Sequence, residues 1–65
     1  MEKKEFKKIL LVLINKLIEN CVSQDEIHRI VGEINGKYVE LSKQGKNEQI
    51  KEIIDSYLEK EKENE

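Results

Sequence analysis

Sixty-five residues make one domain at most, and a chain of this size buries only about 60% of the surface its unfolded form exposes, so its core is marginal. Its 40% charged residues and zero prolines point to a soluble, helical protein with a net charge of −2. The single cysteine, Cys21, excludes an internal disulfide framework, and there is no zinc-type Cys/His spacing and no catalytic or cofactor motif.

The basic start to Lys8 and the apolar run from Ile9 to Ile14 faintly imitate a signal peptide. Asn15 and Lys16 end that run, and a chain without alanine offers no A-x-A cleavage site. The run is also far short of the ~20 apolar residues of a membrane span. The expectation is a cytoplasmic protein with Cys21 reduced and no membrane partner.

The first predicted helix covers about residues 3–20. Phe6, Ile9, Leu10, Leu13, Leu17 and Cys21 form one face of it, with Cys21 closing the stripe as a small buried hydrophobe. Leu11, Val12, Ile14 and Ile18 fall outside that stripe, so the middle of the helix is apolar nearly all round. Such a helix is usually buried on more than one side. Lys8, Asn15 and Glu19 mark its wet edge. Leu11, Ile14 and Ile18 form a second seam and are the predicted protein-interface residues.

Ser23 with Glu26 three residues on is a capping box that starts the second helix, and Val22 with Ile27 can form its hydrophobic staple. Ile27, Ile30, Val31, Ile34, Tyr38 and Leu41 then keep helical period, which predicts one helix over about residues 24–44, ended by Gly45 as the left-handed cap. Gly32 and Gly36 oppose this at roughly 1 kcal/mol each. A kink at Gly36 is one variant, and a stop at Asn35-Gly36 is the alternative. The two glycines face away from the isoleucine stripe, where another backbone could come close.

His28 and Asp25 lie one turn apart, but two ligands do not make a metal site, and the reading is a surface histidine with no metal and no cofactor. No pocket or second positioned group accompanies it, so no catalytic residue is assigned. The span Leu17 to Val31 has the local look of a helix-turn-helix. The outward residues of the would-be reading helix are Gln24, Asp25, His28, Glu33 and Asn35, which are neutral or acidic where phosphate contact needs lysine and arginine.

Leu17-Ile18-Glu19 followed by Val22-Ser23-x-x-Glu26-Ile27-x-x-Ile30-Val31 resembles the helical hook of Sin-type repressor and anti-repressor proteins. In that family two hooks interlock to form dimers or inhibitor complexes, so the resemblance implies a small protein-binding regulator. Cys21 stands where the family usually has glycine, the tryptophan typical of the preceding helix is missing, and a third helix follows.

The third predicted helix runs from Asn47, as N-cap, to about Glu61, with Ile50, Ile53, Ile54, Tyr57 and Leu58 as its apolar stripe. Glu48, Glu52, Asp55 and Glu59 form an acidic row on it that could recognise a basic partner. The alternating Glu/Lys run from Glu59 is expected to fray, so the domain spans residues 1–61 and residues 62–65 form an acidic tail. Charge is uneven: residues 1–20 hold five lysines against Glu2, Glu5 and Glu19, and residues 47–65 hold seven acids against Lys51, Lys60 and Lys62.

These elements predict an all-α fold, a small antiparallel three-helix bundle in up-down-up order. The excess apolar surface of helix 1 favours a homodimer or a docked larger partner. The functional expectation is a non-enzymatic regulatory or adaptor protein acting through helix–helix contacts, as an inhibitor or anti-repressor of a larger regulator. The alternative is a nucleic-acid-binding regulator of helix-turn-helix type, with Lys3, Lys4, Lys7 and Lys8 on phosphates.

Overall fold

The computed structural model describes residues 2–63, and side chains within residues 2–61. They form three helices, α1 (Lys3–Glu19), α2 (Gln24–Lys43) and α3 (Ile50–Glu63), with no strand among the described residues. α1 runs antiparallel to α2, because Phe6 near its start stacks on Tyr38 late in α2, ring centroids 4.1 Å apart and 9° from parallel. α3 returns parallel to α1, because the Asn20 side chain at the end of α1 donates to the Glu61 carbonyl (3.0 Å) and carboxylate (3.1 Å) in α3. The bundle is up-down-up, as its short links require. At ~1.5 Å per residue α2 is about 30 Å long, and it accounts for most of the 34 Å long dimension of the molecule.

Eight side chains make the core: Phe6, Leu10, Leu13 and Leu17 of α1, Ile30 and Ile34 of α2, and Ile50 and Ile54 of α3. Those from α1 lie at i, i+4, i+7 and i+11, one stripe of the helix. Ile9, Ile14, Ile27, Val31, Tyr38 and Leu41 pack half-buried around them, as do Ile53, Tyr57 and Leu58. No polar or charged residue is buried among the described residues. The bundle is therefore held by apolar packing, with polar contacts confined to its rim.

Both interhelix links are built the same way. At the end of α1 the Val22 amide donates to the Leu17 carbonyl and the Cys21 amide to that of Ile18, both 3.0 Å. At the end of α2 the Lys46 amide donates to the Leu41 carbonyl (2.7 Å) and the Gly45 amide to that of Ser42 (3.1 Å). Each is a Schellman motif, which needs a left-handed residue just past the helix. Gly45 supplies it at φ 71, as its position in the sequence suggests, and Cys21 supplies it at φ 60.

Cys21 therefore departs from the expectation that it ends the buried stripe of helix 1. It is exposed, beyond the helix end, because the left-handed turn directs the chain away from the α1 axis. The Ser23 hydroxyl caps α2 by accepting the Glu26 amide at 3.3 Å. The reciprocal half of the capping box is missing, since the Glu26 carboxylate is taken by Arg29. α2 is unbroken through Gly32 and Gly36, and Asn35-Gly36 is no stop.

Asn47 is not the N-cap of an α-helix. It opens a 3-10 turn, Asn47–Gln49, that runs directly into α3 at Ile50. α3 also continues to Glu63, past the predicted end near Glu61, because Asn20 holds its last turns at Glu61. The expected acidic tail is thus helical through Glu63. Its last two residues, and Met1 at the basic start, lie outside the described residues.

Candidate functional site

α1 leaves one apolar side uncovered. Leu11, Val12 and Ile18 are 58%, 57% and 59% exposed. Leu11 and Ile18, one heptad apart, lie on the same line along the helix. Ile14, the third member of the predicted seam, is half-buried and packs against the core, so it joins the seam to the interior. Lys3, Lys4, Lys7 and Lys8 are all exposed at the N-terminal end of this helix, while Lys8, Asn15 and Glu19 form the exposed edge that their spacing implies. The outward surface of α1 thus carries a basic end, an apolar middle and Glu19 near its far end.

Val12 was outside the predicted seam, and its role comes from α3. It lines an open groove of about 580 Å³ between α1 and α3, together with Lys16, Glu19, Asp55, Leu58 and Glu59. Val12 and Leu58 give this groove an apolar floor, and Glu19, Asp55 and Glu59 give it an acidic rim. Lys16 is 3.9 Å from Glu19 across one helical turn.

The acidic row is split by the 3-10 turn. Glu52, Asp55 and Glu59 stand on α3, whereas Glu48 precedes the helix in the turn. All four are exposed. Only Asp55 and Glu59 are brought to the α1 groove.

A second groove of about 580 Å³ lies between α2 and α3, beside Gly36, Lys37 and Tyr57. Its polar side is a short chain of contacts. The Tyr57 hydroxyl donates to Glu33 Oε2 (3.2 Å), Arg29 Nη1 donates to Glu33 Oε1 (2.9 Å), and Arg29 Nη2 pairs with Glu26. The Arg29 hydrogen bond holds the Glu26 carboxyl below its usual range, and the two carboxylates push the Arg29 guanidinium up. Burial, helped by the Glu33 hydrogen bond, raises the Tyr57 phenol above its ordinary value. These groups satisfy one another's hydrogen bonds.

His28 and Asp25 are both exposed on the first turns of α2, and no three His, Cys, Asp or Glu side chains among the described residues converge on a metal position. Gly32 and Gly36 face open space, with nothing within 4 Å of where a Cβ would stand. Among the described residues, no other helix packs against that small-residue face. Val39, 54% exposed on the same side of α2, also escaped the periodicity reading. No helix among the described residues is long and apolar enough to cross a membrane. No family model matches the chain, and no curated protein and no solved structure matches it.

Proposed function

We propose that this chain is a small non-enzymatic regulatory or adaptor protein that works by docking the outer face of α1 on another helix. The observation that carries this reading is the pair Leu11 and Ile18, more than half exposed and one heptad apart on a helix whose opposite face is already committed to the core. A helix burying a single stripe has no use for large aliphatic groups on its other side, whereas an interface does. Ile14 ties this seam to the core, and the acidic row of α3 tunes partner choice and association rate. The other helix belongs to a second copy of the chain or to a larger partner, and the role is that of an inhibitor or anti-repressor of a larger regulator in the cytoplasm, with no cofactor or metal.

The resemblance of residues 17–31 to a Sin-type hook supports the same class. Cys21, standing where that family has glycine, takes the left-handed conformation that glycine takes readily. Capture from native lysate with the tagged chain tests the reading. Leu11→Glu with Ile18→Lys should abolish capture while leaving the helical circular dichroism unchanged, because both side chains are exposed. Equal capture by the two proteins would refute it.

The second reading, a nucleic-acid-binding regulator, draws on the four exposed lysines at the start of α1. It requires DNA affinity that falls steeply with salt. The docking reading requires none at physiological salt, since the N-terminal half of α2 offers Asp25, His28 and Glu33 to a phosphate backbone and its one cation there, Arg29, is held by Glu26 and Glu33.

A further inference from the structure

We infer that the partner of the α1 face is a second copy of this chain, bound antiparallel about a two-fold axis near Ile14 and Asn15. The inference rests on the docking reading above and adds the occupant, its direction and its register. At 100° per residue, Lys4, Leu11 and Ile18 fall on one line of α1. That line is a seam with a basic start and an apolar remainder. Two copies of it can be laid together in two directions.

Charge decides between them. A parallel pair would bring Lys3, Lys4, Lys7 and Lys8 of both copies to one end, and the acidic ends of α1 and α3 to the other. Both ends would repel. An antiparallel pair crosses them. Leu11 of one copy then sits opposite Ile18 of the other, and Lys8 falls within about two residues of Glu19 along the axis.

The flank agrees as well as the level. In an antiparallel helix pair the same flank of each helix meets, and Lys8, Asn15 and Glu19 share one flank of α1. α3 lies on that same flank, since the groove between them joins Val12 and Glu19 to Asp55 and Glu59. Each copy therefore offers Lys4 and Lys8 to an acidic rim on the other, and Leu11 and Ile18 close between the two salt-bridged ends. The pairing also gives the uncovered middle of α1 the second burial that its all-round apolar character calls for.

Sedimentation of the pure chain at micromolar concentration tests association, and it does so independently of any captured partner. A dimer is expected, weakened by added salt. In a Cys21→Ser background, Leu11→Cys together with Ile18→Cys should oxidise to a covalent dimer. Leu11→Cys alone should not, because the two Leu11 positions of an antiparallel pair are about 10 Å apart along the axis. Lys8→Glu should weaken the dimer about tenfold at low salt, and adding Glu19→Lys should restore it. A monomer would overturn the inference and leave the face to a helix of a different protein. Ready cross-linking of Leu11→Cys alone, or indifference to Lys8→Glu at low salt, would overturn the antiparallel arrangement.

Discussion

Cys21 sits at φ 60, in a conformation that costs an L-residue roughly 1–2 kcal/mol and glycine almost nothing. Its amide and that of Val22 close the end of α1, so the strain is maintained by the turn and not by any contact of the thiol. Cys21→Gly should therefore stabilise the fold by about 0.5–1 kcal/mol, the strain relieved less the extra freedom glycine gives the unfolded chain. Thermal melts should show a midpoint a few degrees higher. Nearby, the Arg29 hydrogen bond depresses the Glu26 carboxyl. A carboxyl lowered in the folded state contributes stability that is complete above its unfolded pKa and lost as pH falls through the folded one. Arg29→Gln should return Glu26 to the ordinary carboxylate range, and should remove the part of the acid sensitivity that this pair confers. An NMR titration of the Glu26 side-chain carboxyl checks the shift directly.

Among the elements, α2 tests two glycines with opposite demands. Gly36 lies inside the helix with open space around it, so Gly36→Ala should stabilise by about 0.4–1 kcal/mol through helix propensity and a less flexible unfolded chain. Gly45 takes φ 71 at the Schellman cap, and Gly45→Ala should destabilise by about 1 kcal/mol. Urea melts of the two variants should move in opposite directions. Movement in the same direction would mean that α2 does not continue through Gly36. Gly45 was legible in the sequence, because a left-handed cap is set by neighbours within a few residues, whereas at Gly36 the spacing favoured a continuous helix and left a kink or a stop open. The start of α3 was less so. Asn47 is a good cap residue by type, yet the chain enters α3 through a 3-10 turn, with Ile50 fully buried as the first residue of the helix.

For the whole molecule, Asn20 is the polar tie between the ends of α1 and α3, donating to both oxygen types of Glu61. Asn20→Ala should cost about 1 kcal/mol. Hydrogen exchange should quicken in the last turns of α3 before anywhere in α2, since the lost contacts hold that end. Uniform quickening throughout the bundle would show that the tie is not local. Lys16 and Asn20 also fall where a helix-turn-helix packs apolar groups, and both are half-buried here. Asn20 serves here as a hydrogen-bond clamp to the third helix.

The number of helices, their approximate ends, the Ser23 cap, the Gly45 stop and the core stripes, Cys21 excepted, were readable from the sequence. Each depends on spacing or on side-chain chemistry within a turn or two. How far the outer residues of α1 are covered was not readable in that way. Ile14 and Ile18 stand together in the predicted seam, yet Ile14 is half-buried against the core and Ile18 is 59% exposed. Only the placement of α2 and α3 separates them, because two neighbouring helices can cover one side of α1 and have no surface left for the rest. The same placement brings Asp55 and Glu59 to the α1 groove and leaves Glu48 on the 3-10 turn, dividing a row that spacing alone presents as one.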